Sequence, residues 1–230
     1  MILELNGLPG CGKSTVKQEI AVQNNEIKVI GVAEFRGENV SGFFKLLLKI
    51  KRFCIQFLPQ NFGFYCKCRR LFANSSVKES CTSFFYEDMI AIMYMVYLYH
   101  SYRNFKGTFL LTDEGILQSL ASVCVAKNVS LAALDEVTGQ LYKLNNSLML
   151  VHCDCSIEEA YRRITVRNRN DSAIDNLKGE QLKDYLCSYE KQLKVLRQKI
   201  FDKNINIHID MCQTVGSQVS LILERIKNVR

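Results

Sequence analysis

The chain has 230 residues, a formal charge of +7 at pH 7 and 48% hydrophobic residues, enough for one large domain with a substantial core. Its longest nearly uncharged apolar stretch, Met89 to Tyr102, is shorter than the roughly 20 residues of a membrane span, so no transmembrane segment is expected. The positive balance suits a protein that handles polyanions. A nucleotide is sufficient to explain it, and with no aromatic–basic repeat of the RNA-binding kind, nucleic acid is not expected as a partner. Ten cysteines and no export signal point to free thiols in a reducing, cytoplasmic compartment. Cys66-Lys-Cys68 and Cys153-Asp-Cys155 are spaced too tightly for a zinc ribbon or finger, and no structural metal is expected.

Along the chain, Ile2 to Asn6 reads as a short apolar strand. It runs into Gly7-Leu-Pro-Gly10-Cys11-Gly12-Lys13-Ser14, and a helix can follow from Thr15 to Gln23. The spacing Gly-x-x-x-x-Gly-Lys-Ser between strand and helix is that of a phosphate-binding loop. Gly7, Gly10 and Gly12 let backbone N–H groups converge on phosphate oxygens, and the helix N-terminus points at the same anion. Lys13 is the group that reaches the outer phosphates, and the Ser14 hydroxyl can ligate Mg²⁺. A second strand, Lys28 to Ala33, ends at Glu34-Phe35-Arg36. There a carboxylate can take a proton from a substrate hydroxyl and an arginine can hold an anion.

A helical insertion of about 37–106 follows, with no strand signal. Phe43 to Phe57 carries Lys45, Lys49 and Arg52 at helical spacing. It is read as a core helix with a solvated charged edge, in preference to a surface for an anionic membrane or an acidic substrate. Pro59 is expected to end it. Lys67, Arg69 and Arg70 form a second basic cluster. Thr82 to Tyr102 is apolar nearly all round, which places it at the centre or at a homodimer interface.

The third strand, Thr108 to Thr112, ends in Asp113-Glu114, where a carboxylate that holds Mg²⁺ is expected. The fourth is Ser147 to Cys153. Ser156-Ile-Glu-Glu159 then forms a capping box, and Arg162, Arg163, Arg167 and Arg169 follow without alternating acids. Arg163 and Arg167, four apart, can close together over a triphosphate. The fifth strand is Ile205 to Ile209, and Cys212 to Val215 beyond it is where adenine contacts are expected. Strands alternating with helices predict a parallel sheet covered on both faces, with ligands beyond the carboxyl ends of the strands.

These motifs together resemble a family. The loop Gly7 to Ser14 looks like that of nucleoside monophosphate kinases. Glu34-x-Arg36, Asp113-Glu114 and Arg163-x-x-x-Arg167-x-Arg169 before a long amphipathic helix are similar to thymidylate kinases and deoxynucleoside kinases. The resemblance spans nearly the whole chain. It implies a single α/β domain of the P-loop NTPase fold, with a five-stranded parallel sheet ordered 2-3-1-4-5, a substrate-side insertion and an arginine-rich lid at about 163–178. It implies an ATP- and Mg²⁺-dependent transfer of the γ-phosphoryl group to a small acceptor, a nucleotide or nucleoside first, with a sugar or lipid-linked glycan as the alternative. The implied nucleotide site is Gly7, Gly10, Cys11, Gly12, Lys13, Ser14, Thr15, Arg163 and Arg167, with Ser14 and Asp113 on the metal. Glu34 would be the base or a metal-linked carboxylate, Arg36 and Glu114 would face the acceptor, and Lys13, Glu34, Asp113, Arg163 and Arg167 would carry the chemistry. One departure stands out: those kinases carry Asp-Arg after strand three, and this chain has Asp113-Glu114. A regulatory ATPase that phosphorylates nothing is the reading from another class, and peripheral membrane contact through the basic helix also stays open.

Overall fold

The computed structural model describes residues 1–37, 42–77, 88–141, 144, 148–167, 173–200 and 205–228. Five parallel strands form the main sheet: β1 (Ile2–Gly7), β2 (Ile27–Val29), β4 (Phe109–Thr112), β6 (Leu148–Asp154) and β7 (Ile205–Asp210). Their order is β2-β4-β1-β6-β7, which is 2-3-1-4-5 when the five are numbered in sequence. β1 is central, with Ile2 to Glu4 beside Leu110 to Thr112 of β4 and Ile2 to Gly7 beside Leu148 to Cys153 of β6. A strand flanked on both edges and covered on both faces should be apolar throughout. β1 is buried along its whole length, yet it includes Glu4 and Asn6. Both lie on one face of the strand by the period of two, and both prove important to the site.

One face of the sheet is covered by α1 (Lys13–Gln23) and α10 (Val215–Asn228), which pack on each other and on β1, β2 and β7. The other carries α6 (Ile116–Ala126) against β1, with α9 (Glu180–Ile200) packed on α6 and α8 (Ile157–Val166) on α9. α5 (Asp88–Asn104) lies beside α6. Ala91, Ile92, Met95, Val96, Leu98 and Tyr99 bury its length, as its all-round apolar sequence requires. α4 (Pro59–Ala73) packs on α5 and on α7 (Leu131–Leu141), and α3 (Gly42–Ile55) leans on α5 from outside. The core runs through Leu3, Leu5, Val16, Ile20, Leu111, Leu120, Val151 and Leu196, all fully enclosed. Emptying any one Leu site to Ala would cost about 2–5 kcal/mol.

Several boundaries differ from the sequence reading. β2 stops at Val29, and residues Val32–Arg36 form a one-turn helix, α2, capped by Gly31. Glu34 therefore sits in the first turn of a helix rather than at a strand end. Pro59 does not end α3; it stands at the start of α4, where its missing N–H costs nothing. The insertion also contains a strand, β3 (Ser76–Val77), paired antiparallel with β5 (Lys127–Asn128). Lys127 fastens that small sheet, with Nζ 2.6 Å from Asp88 Oδ2 and 5.1 Å from the centre of the Phe72 ring. The largest correction concerns α3. Phe43, Phe44, Leu46, Leu47, Ile50 and Phe53 face solvent, so α3 is not a core helix with a charged edge. Its inner side holds only Leu48, Arg52 and Ile55. Arg169, residues 82–87 and Ser147 lie outside the described residues.

Candidate active site

The loop of residues 7–14 wraps the N-terminus of α1. Gly10 and Gly12 have φ of 80° and 108°, a region that favours glycine. At Gly10 a Cβ would also strike Ile164 of α8 at 2.5 Å. Gly12 caps α1, whose first turn has neither an acidic residue nor a side-chain cap. The helix N-terminus keeps its positive end for an anion. Lys13 is buried and donates to Gly7 O at 3.0 Å and Leu8 O at 2.8 Å, holding the loop ring closed. Cys11 is enclosed in the loop, 3.6 Å from Lys13 Nζ. A hydrogen bond from Cys153 and the Lys13 charge hold its thiol below the ordinary range, against burial.

Asp113 and Glu114 follow β4 into the cleft beside α1. Ser14 Oγ donates to Asp113 Oδ2 at 2.6 Å, and Lys17 Nζ lies 2.7 Å from Asp113 Oδ1. Lys17 is one helical turn after Lys13, so both amines rise on the same side of α1. Glu34 reaches the same place from α2. A Cβ on Gly31 would lie 3.3 Å from Glu34 Oε2 and 3.7 Å from both Asp113 Oδ1 and Lys17 Nζ. Glycine at 31 thus leaves open the space on which two carboxylates and an ammonium converge. Glu114 is exposed at the mouth but walled by protein. Partial desolvation and then the Asp113 charge raise its carboxyl pKa, opposed by Lys13, Lys17 and Arg36.

Beneath this acidic turn lies Glu4, which sequence reasoning passed over. Its Oε1 accepts from Leu117 N at 2.8 Å and its Oε2 from the Tyr102 hydroxyl at 3.0 Å. It caps α6 from inside the sheet, and Gly115 is needed above it, since a Cβ there would sit 1.9 Å from Glu4 Cδ. Burial raises the Glu4 carboxyl from 4.5 to about 7, against the pull of its hydrogen bonds. The signal was present: a lone Glu inside an apolar strand.

The arginines separate. Arg163 donates to Cys11 O and to Met211 O at 2.8 Å, joining the phosphate loop to the turn after β7. Arg167 turns away to Asp175, with Nε 2.9 Å from Oδ1. Arg162 and Arg163 both pair with Glu159, which holds that partly exposed carboxylate well below its ordinary pKa. The arginines are therefore not unbalanced: Glu159, one turn earlier, and Asp175, beyond the helix, supply acids that linear spacing hides. Ser156 caps α8 by accepting from Glu159 N at 3.1 Å.

Arg52 is a further site residue missed in the sequence, where it read as part of a surface stripe. It is buried, donates to Glu34 O at 2.6 Å and stacks over Phe35 and Tyr97. Phe35 packs on Tyr94 and Tyr97 at 5.1 and 5.5 Å between ring centres, and the Tyr94 hydroxyl donates to Glu114 O at 2.6 Å. An aromatic wall with a buried guanidinium thus backs Glu34 and Glu114. On the opposite side of the loop, a cavity of about 320 Å³ is bounded by Gly7, Leu8, Cys155, Arg197, Asp210 and Cys212, among others. Asn6 holds Arg197 of that lining: its Oδ1 takes Arg197 Nε at 2.9 Å and lies 3.0 Å from His152 Nδ1.

The oxygen donors fit a small hard cation. Ser14 Oγ and Asp113 stand together, Glu34 faces the gap at Gly31, and oxygen is the ligand that Mg²⁺ takes. Among the described residues no three His, Cys, Asp or Glu side chains converge to hold a metal by themselves. A cation here would share its coordination with substrate phosphates, as Mg²⁺ commonly does.

Solved structures share this architecture. Deoxyadenosine kinase from M. mycoides, with products dCMP and a flexible dCDP bound, matches with a TM-score of 0.56 at 16% identity, over 100% of this chain and 100% of that one. The same enzyme with bound dATP gives 0.54 at 17% identity, over 99% and 100%. Shikimate kinase from Bacteroides thetaiotaomicron gives 0.54 at 12% identity, over 99% and 98%. No protein-family model and no curated protein sequence matches the chain. The likeness to these solved structures establishes the shared fold, a parallel α/β sheet with the phosphate loop after its central strand.

Proposed function

We propose that the protein is an ATP- and Mg²⁺-dependent kinase that phosphorylates a small hydroxyl acceptor, a nucleoside or nucleotide first. The observation that carries this reading is the convergence of Ser14, Lys17, Asp113 and Glu34 at one end of a complete phosphate loop. The acceptor oxygen attacks the γ-phosphorus, the bond to the departing ADP oxygen breaks, and Glu34 receives the hydroxyl proton. Lys13 and the α1 N-terminus bind the phosphates, and Arg163 is tied to the same loop. Ser14 and Asp113 would hold Mg²⁺, which neutralises charge on the phosphates when bound. Positioning and charge neutralisation supply most of the acceleration in such a reaction.

Glu114 narrows the acceptor. A carboxylate at the cleft mouth repels a phosphate monoester, even with Arg36 near enough to act on it. An uncharged hydroxyl compound is favoured for that reason: a nucleoside, whose base would lie on the Phe35, Tyr94 and Tyr97 wall, ahead of a nucleoside monophosphate. The same carboxylate keeps a sugar in view. The test is incubation with Mg-ATP and a panel of nucleosides, nucleoside monophosphates and sugars, followed by separation of the products. A phosphorylated nucleoside supports the reading, and a phosphorylated sugar moves it to the alternative acceptor. Phosphate release that no acceptor changes would overturn it in favour of a regulatory ATPase.

A further inference from the structure

We infer that the outer face of α3 is a docking surface for an anionic lipid bilayer. At about 100° per residue, Phe43, Leu46, Leu47, Ile50 and Phe53 fall within an arc of roughly 120°. That arc points away from the protein: Phe43 is 68%, Ile50 52% and Phe53 51% exposed, and Phe57 continues it beyond the helix. The side that packs on the fold is the opposite one, with Leu48, Arg52 and Ile55. An ordinary surface helix turns its apolar side inward; α3 is inside out.

Charge selects the occupant. Lys49 borders the apolar arc on one side and Lys51 on the other, with Lys45 further round toward Arg52, and none of the three makes an ion pair among the described residues. From Gly42 to Val77 the sequence has seven Lys and Arg residues and no Asp or Glu. An apolar strip with lysine borders is the form that seats a helix at a headgroup boundary, with rings and aliphatic chains below and ammonium groups among anionic heads. A second copy is a poorer occupant, because a self-complementary contact would set these lysine borders against each other with no acid between them. The helix is not isolated from the cleft. Its inner Arg52 bonds the backbone of Glu34, so a docked α3 would bring the acceptor side of the cleft close to the bilayer.

The inference is independent of the phosphoryl-transfer reading, and so is its test. The chain has no tryptophan, so Ile50→Trp provides a single reporter on the exposed arc. It is mixed with vesicles of phosphatidylcholine alone and of phosphatidylcholine with phosphatidylserine, and the unmodified protein is co-sedimented with both. The expected result is a blue-shifted emission and co-sedimentation with the anionic vesicles only. Each of Lys49→Ala and Lys51→Ala should weaken binding about fivefold. Ile50→Glu should abolish it while leaving the thermal melt unchanged. Absence of binding to anionic vesicles, or equal binding to neutral ones, overturns the inference. It is also overturned if the free protein self-associates with concentration and Ile50→Glu abolishes that association, which would make this face a self-interface.

Discussion

Replacing Glu4 with glutamine should make the protein more stable above neutral pH and remove a large part of its pH dependence. The Glu4 carboxyl ionises near 4.5 in the unfolded chain and at about 7 in the fold, because the strand interior desolvates its charge. A carboxyl whose folded pKa is raised stabilises the fold when protonated, and that contribution is lost as pH climbs toward the folded pKa. A tenfold change in an ionisation constant corresponds to about 1.4 kcal/mol. From about pH 5 to pH 8 the wild type should therefore lose about 2–3 kcal/mol through this group alone. For a chain of this length that is a fall in Tm of roughly 5–10 °C. Glutamine keeps the shape: its oxygen can accept from Leu117 N, and its amide can donate to a Tyr102 hydroxyl turned to accept. Melting curves for wild type and Glu4→Gln across that range should nearly meet at the acid end and separate at the alkaline end, with the variant higher. Parallel curves with equal slopes would refute the buried, raised carboxyl.

Three further outcomes follow from the same geometry. Gly115→Ala drives a methyl to 1.9 Å from Glu4 Cδ and should destabilise the fold by about 3 kcal/mol in urea unfolding; an unchanged midpoint would show that α6 can shift freely. Asp113→Asn weakens the oxygen set and should raise the Mg²⁺ needed for half-maximal activity about 10–100-fold, while an unchanged Mg²⁺ titration would remove Asp113 from the metal site. Arg163→Ala should lower turnover by about a thousandfold, and Arg167→Ala by less, because only Arg163 touches the loop. The reverse order would mean that Arg167 leaves Asp175 to act on the substrate.

The phosphate loop could be read from the sequence because its chemistry is local: glycines, lysine and serine at fixed spacing between a strand and a helix. The five strands of the main sheet were legible too, since each is an apolar run followed by helical pattern, and their order came from the resemblance to nucleoside monophosphate kinases. Contacts between distant segments were not. Glu34 lies on a helix because the chain leaves the sheet after Val29 and turns into α2 past Gly31, and an apolar run alone does not show where it leaves the sheet. Lys17 could have been found one turn after Lys13. Arg52 could not, because periodicity shows that a helix has a basic side without saying which side faces the protein. The same ambiguity produced the wrong reading of α3, whose apolar face is as consistent with a core as with a surface until its packing is known. The acids that balance Arg163 and Arg167 were hidden because one precedes the arginine run and the other lies across a turn.

The most direct test of the central claim is label transfer from γ-labelled ATP to the acceptor panel, with wild type and Lys13→Ala compared at equal concentration. Lys13 closes the loop through two carbonyl contacts, while the apolar core of α1 and β1 is made by Val16, Ile20, Leu3 and Leu5, so the variant should stay folded. The expected result is a labelled nucleoside monophosphate from the wild type, and from a folded Lys13→Ala at least about a thousandfold less. Equal product from both proteins would contradict the assignment of this loop as the phosphoryl-transfer site.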